Sequence, residues 1–145
     1  MKFGVGVDYS LKALLMLADR YGAQQPVRVE EIAETQNIPE NYLRRLLIEL
    51  KRGGLVSSQK GPSGGYQLAR SPSRITMEDV VDIIEGGYSP VECLDEPGSP
   101  VCPKSEACSM RDVWREVKDS VGTILRRTTL QSLAERRRAA LTFSI

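Results

Sequence analysis

From Gln36 to Arg70 the chain reads QNIPENYLRRLLIELKRGGLVSSQKGPSGGYQLAR, and this stretch constrains the fold more than any other. Leu43, Leu46, Leu47 and Leu50 recur at i, i+3, i+4 and i+7, which is one stripe on an α-helix. Asn41, Arg44, Arg45, Ile48 and Arg52 fall on the opposite face. Asn37 suits a turn, Pro39 suits the first position of the helix, and Gly53 and Gly54 suit its end. Leu55 to Ser58 and Tyr66 to Arg70 then read as two strands joined by Lys60 to Gly65, a loop rich in glycine and proline. The helix has one apolar face for anchoring and one polar face to present, and a hairpin follows it directly.

The rest of the chain supplies helices. Leu11, Leu14, Leu15 and Ala18 predict a first helix over about residues 7 to 22. A second, short one covers about Val29 to Thr35, with Ile32 and Ala33 inward, and a fourth about Thr76 to Glu85. Met110, Val113, Val117, Val121, Ile124 and Thr128 trace a seam spaced by three and four on a long helix that begins near Ser109 and runs to about Arg138. The expected fold is mainly α with a small β-hairpin wing: a winged helix-turn-helix followed by a long C-terminal dimerisation helix. Three parts are expected: 1–75 as the winged unit, 76–108 as a short helix and cysteine-rich loop, and 109–145 as the dimerisation helix and tail. Trp114 lies beside the seam and reads more readily as a core residue than as part of a sensor.

Charge points to a partner. The whole chain carries a net charge of only +1. Between Asn41 and Arg74, however, seven Lys or Arg residues face one acidic residue, Glu49. Such local asymmetry is what a phosphate-facing surface needs. Guanidinium and amide groups on the exposed helix face can reach guanine and adenine edges in a major groove. The loop KGPSGG lets backbone N–H groups approach phosphates, but GxxxxGK[ST] is absent, so it is not a nucleotide-binding loop. No uncharged apolar run approaches the roughly 20 residues of a membrane helix, and Asp8 and Lys12 interrupt any leader-like core. A cytoplasmic protein is expected.

All three cysteines lie in CLDEPGSPVCPKSEAC, from Cys93 to Cys108, in a chain with no histidine. Prolines 90, 97, 100 and 103 make the segment loop. Cys93, Cys102 and Cys108 lack the CxxC pairs of zinc ribbons and match neither common ferredoxin run. Spacing alone leaves metal binding, a reversible thiol switch and incidental cysteines open. Without histidine no Cys–His catalytic pair can form, which argues against an enzyme.

The run LKRGGLVSSQKGPSGGYQLAR after NYLRRLL, the three-cysteine loop and the long final helix together resemble the IscR/NsrR-type family of winged-helix transcriptional regulators. The resemblance implies a homodimer on an inverted-repeat DNA operator, with the third helix in the major groove and the wing tip against the minor groove. It makes Asn41, Arg44 and Arg45 readout positions and Lys60 the basic residue of the wing, with Tyr42, Lys51, Ser58, Gly61, Pro62, Ser63 and Gly64 in the same DNA-binding surface. Arg44 and Arg45 replace acidic or amide residues of some relatives, so operator preference does not carry over.

The resemblance also implies that Cys93, Cys102 and Cys108 hold an iron–sulfur cluster, four-iron before two-iron. Some members add a histidine three residues after the last cysteine; here that position is Arg111. Asp8 matches the N-terminal aspartate that ligates the cluster from the other subunit in NsrR-like members. Its competing reading is a helix cap. Glu92, Asp95, Glu96, Glu106, water or an external thiol are further candidates for the fourth ligand. The expected function is a regulator, of repressor type, whose operator affinity follows nitric oxide, redox state or iron–sulfur status. The alternative is a cluster-free regulator controlled by thiol oxidation, zinc, a metabolite or a partner enzyme.

Overall fold

The structure is a computed structural model that describes residues 2–95 and 108–143. Cys102, Glu96 and Glu106 therefore lie outside the described residues. Among the described residues, six α-helices and one hairpin follow in the order α1 Val5–Asp19, α2 Val29–Gln36, α3 Glu40–Arg52, β1 Val56–Gln59, β2 Gly65–Leu68, α4 Met77–Glu85, α5 Ser109–Arg127 and α6 Leu130–Phe143. Short 3₁₀ turns at Pro72–Arg74 and Glu92–Leu94 complete the path.

One core holds these elements together. Leu14 and Leu17 of α1, Ile32 of α2, Leu43, Leu47 and Leu50 of α3, and Val80 and Val81 of α4 are all buried in it. The α3 leucines are the stripe read from the sequence, and each is at most 3% exposed. Burying a leucine contributes about 1.5–3 kcal/mol, so this stripe fixes which face of α3 points outward. Asn37 takes the left-handed conformation at the end of α2, with φ 53°, and turns the chain into α3. Gly53 closes α3 at its C-terminus. Pro39 stands one place earlier than expected, as the residue flanking the helix and not as its first turn.

The hairpin pairs Val56 with Leu68 and Gln59 with Gly65 in antiparallel register. A third segment joins it: Val27 N–H donates to the Tyr66 carbonyl and Tyr66 N–H to the Val27 carbonyl, both at 2.8 Å. Gly65 has φ +151°, and a Cβ there would run into the Val27 carbonyl oxygen. Only glycine lets the second strand lie this close to Val27.

The C-terminal half departs from expectation. The single helix expected from Ser109 to about Arg138 is broken at Thr128 and Thr129, and α6 folds back against α1 and the Pro72–Arg74 turn. Thr128 is buried in extended backbone, and its carbonyl accepts from Met77 N–H at 2.9 Å. Leu130 N–H donates to the Ile75 carbonyl at 2.9 Å. Thr129 then caps α6: Ser132 N–H donates to its Oγ1, and its own N–H donates to Ser132 Oγ, both at 3.0 Å. The helix stops because this TTLQS run offers capping hydroxyls and because Leu130 gains full burial. Arg137 of α6 is fixed to Asp19 of α1 at 2.6 Å. The first helix starts and ends earlier than expected, at Val5 and Asp19, and residues 20–24 form turns.

Candidate nucleic-acid interface and cysteine loop

The exposed face of α3 carries Asn41, Arg44, Arg45, Ile48, Lys51 and Arg52. The wing tip exposes Lys60, Gly61, Pro62 and Ser63. The two are joined by Lys51, whose Nζ donates to Ser58 Oγ on β1 at 2.6 Å. The expected basic surface is thus brought together, with two residues set apart. Gly64 is buried, since a Cβ on it would meet the Gln59 backbone. Tyr42 is half-buried and lies edge-on to Tyr9 of α1, with ring centroids 5.8 Å apart and planes at 73°. Its hydroxyl lies where a Cβ on Gly6 would come within 2.8 Å, so a side chain at residue 6 would push the Tyr42 ring aside.

Two residues of this surface were not singled out from the sequence. Arg28 Nη1 donates to the Pro62 carbonyl at the wing tip, at 3.3 Å. Glu30, in the first turn of α2, accepts from Arg44 Nη2 at 2.9 Å. Arg44 is also 3.6 Å from Glu40 of its own helix. Glu30 is held below the usual carboxylate range, first by its own backbone N–H and then by Arg44. A cleft of about 200 Å³ separates α3 from the wing, with Arg28, Glu30, Arg44, Ser58 and Gly61 on its walls. The sequence signal was faint: Arg28 and Glu30 flank the start of a short helix, and nothing local shows that the helix faces the wing.

The cysteine loop leaves α4 through Gly86 and Gly87 and returns at α5. Tyr88 anchors its first part, with its ring edge-on to Phe3 at 6.1 Å and its hydroxyl directed at the Lys118 carbonyl of α5. Burial, more than the nearby Glu78, raises the Tyr88 phenol above its ordinary pKa. Cys93 sits in the 3₁₀ turn and Cys108 is the residue that precedes α5; both are half-buried free thiols. Among the described residues, no three Cys, Asp or Glu side chains gather into a metal-binding group. Asp8 is an exposed first-turn residue of α1, paired with Lys12 at 2.8 Å. It does not cap the helix: Gly4 holds that position and no side chain caps it. The hydrogen bond that Lys12 donates to Asp8, ahead of the carboxylate's charge, raises the Lys12 ammonium above its ordinary pKa.

The match that decides the family is to a model described as iron-dependent transcriptional regulator, Rrf2, over residues 4–136. The chain belongs to the Rrf2 family. It is a DNA-binding transcriptional regulator of that family and not an enzyme. It is 36% identical over 134 residues to the transcriptional regulator CymR of Bacillus subtilis, covering 92% of this chain and 90% of that one. It is 36% identical over 133 residues to protein rrf2 of Nitratidesulfovibrio vulgaris, covering 92% and 87%. The solved structure of B. subtilis CymR, titled the global cysteine regulator, superposes with TM-score 0.77 at 35% identity over 94% of this chain and 98% of that one. The structure of T. potens IscR gives TM-score 0.77 at 30% identity, over 97% and 90%. The winged-helix regulator fold expected from the sequence is therefore the fold of the Rrf2 chain. No described helix is long and apolar enough to cross a membrane.

Proposed function

We infer that this Rrf2 chain is a homodimeric regulator whose operator affinity is set by an iron–sulfur cluster on Cys93, Cys102 and Cys108, with Asp8 of the partner as the favoured fourth ligand. The observation that carries it is the position of the two described thiols. Cys93 and Cys108 are free, half-buried and stationed at the two ends of one loop. The donor set fits: thiolates are soft ligands suited to iron–sulfur centres, and no histidine competes. The N-terminus of α5, where Cys108 sits, favours negative charge of the kind a thiolate-bound centre carries. Asp8 is exposed and paired with the long, exposed side chain of Lys12, so an oxygen ligand can be presented to a neighbouring subunit.

When bound, the cluster supplies reactivity toward nitric oxide or oxygen. The chain's own residues do the rest. The thiols hold the loop between α4 and α5, Tyr88 ties that loop to α5, and α4 packs on α3. On the DNA side Asn41, Arg44 and Arg45 read base edges, while Lys51, Lys60 and the loop from Gly61 to Ser63 engage the backbone. Residues 1–75 then serve as the reader, 76–108 as the sensor and 109–145 as the coupling and dimerisation part. The exposed Met110, Val113, Trp114 and Ile124 of α5 supply an apolar face for the second subunit. Trp114, read from sequence as core, is 39% exposed in the protomer, in keeping with that face.

A second reading has one observation in its favour: similarity to CymR, the global cysteine regulator of B. subtilis, joined with thiols that are free among the described residues. Anaerobic purification with iron and sulfide counts separates the two. The cluster reading predicts a brown protein whose visible absorbance is lost in Cys93→Ala, Cys102→Ala or Cys108→Ala and altered in Asp8→Ala. A colourless, iron-free anaerobic protein with full operator affinity contradicts it and favours the second reading.

A further inference from the structure

The basic surface contains a carboxylate that the DNA reading does not use. Glu30 is exposed and stands beside α3, where nucleic-acid phosphate is expected to approach. A lone carboxylate there repels phosphate and weakens binding, because exposed charges act over roughly a 10 Å screening length. Glu30 is not alone. Its Oε1 accepts from Arg44 Nη2 at 2.9 Å, and its Oε2 is 3.8 Å from Arg28 Nε. Arg28 in turn hooks the Pro62 carbonyl at 3.3 Å. One side chain thus stands between the readout arginine of α3 and an arginine that grips the wing tip.

Arg44 is otherwise a long side chain with many rotamers on an exposed helix face. Glu40, one turn back on the same helix, restrains it at 3.6 Å, but that pair moves with α3 and gives no reference outside it. Glu30 belongs to α2 and supplies that reference. Only the Glu30 contact is a hydrogen bond, taking one Nη2 N–H; Glu40, at 3.6 Å, is too far to take the other, so the second Nη2 N–H and a neighbouring N–H remain for a base edge. Holding a guanidinium in one orientation favours the planar two-bond geometry of guanine recognition over the tolerant geometry of phosphate binding.

We propose that Glu30, braced by Arg28, is a specificity-determining residue: its carboxylate aims Arg44 at one base edge in each half-site and keeps that guanidinium off phosphates. The inference rests on the reading of α3 and the hairpin as the DNA surface. It predicts that removing the carboxylate makes the protein a tighter and less selective DNA binder.

The test is selection from a randomised duplex library, with sequencing of the bound pool, for wild type, Glu30→Gln, Glu30→Asp and Arg44→Ala. Affinity for an unselected duplex and the melting temperature are read alongside. Glu30→Gln is expected to melt with the wild type, to bind unselected duplex about 3- to 10-fold more tightly, and to lose about 5- to 20-fold of base preference at one position per half-site. That position is the one Arg44→Ala also erases, and Glu30→Asp falls between wild type and Glu30→Gln. An unchanged base profile in Glu30→Gln overturns the proposal while leaving the DNA reading intact. A wild-type pool with no enriched sequence brings down the DNA reading first, so the two failures are distinguishable.

Discussion

Arg44, Lys60 and Gly65 show what single residues contribute. Arg44→Ala removes a guanidinium from the exposed face of α3 without touching the buried leucines. It is expected to cost about 1–3 kcal/mol of discrimination at one base pair per half-site and little thermal stability, as read by binding to point-substituted operators and by melting. Lys60→Ala is expected to weaken binding evenly across sequences and to lower the slope of log K against log salt by about one per subunit. An unchanged slope means that the wing tip makes no phosphate contact. Gly65→Ala drives a methyl into the Val27 carbonyl and is expected to cost about 1–3 kcal/mol in urea unfolding, and to loosen the wing as well. Residue positions were legible in uneven measure. The exposure of Arg44 and Lys60 was readable because charge and helical spacing are local properties. Arg28 and Glu30 were not, because their meaning depends on α2 lying across from the wing, which no short-range pattern records.

At the scale of elements, the best-read pieces were those with a strong period and a clear stop. The α3 stripe and Gly53 gave both helix and hairpin within a residue or two. The C-terminal helices were misread because the i, i+3, i+4 seam continues through Thr128 in sequence, while tertiary bonds from Met77 and Leu130 break it in the fold. Capping hydroxyls at Thr129 and Ser132 were the available sign. The stability of α4 offers a pH test. Asp82 has its carboxyl pKa raised, first by burial and then by Glu78 and Asp79, and it lies near the negative end of the helix. A raised pKa means that this group favours the folded state while protonated and loses that contribution as pH rises through its folded value. Asp82→Asn is therefore expected to raise the melting temperature at neutral pH and to change it little in acid below the ordinary carboxylate pKa. A gain of equal size at both pH values contradicts the assignment.

For the whole molecule, α4 packs against both α3 and α5, so it links the helix proposed to read DNA with the helix that follows the cysteine loop. The exposed apolar residues of α5 predict that Val113→Asp yields a monomer by sedimentation, with operator affinity lost at least as far as half-site binding, since two recognition helices about 34 Å apart act together. Sequence alone carried the family and the winged-helix fold. It carried less of the assembly: in the proposed function the fourth ligand and the α5 face would be completed by a second subunit, which no local pattern records. The central claim is that occupancy of the cysteine site sets DNA affinity, and an affinity change of 10- to 100-fold requires only about 1.4–2.8 kcal/mol of coupling. The most direct measurement is operator affinity of the anaerobic, iron-loaded protein beside the same preparation stripped of iron. The two are expected to differ by at least about 10-fold; equal affinities would mean that the cysteine site does not control DNA binding.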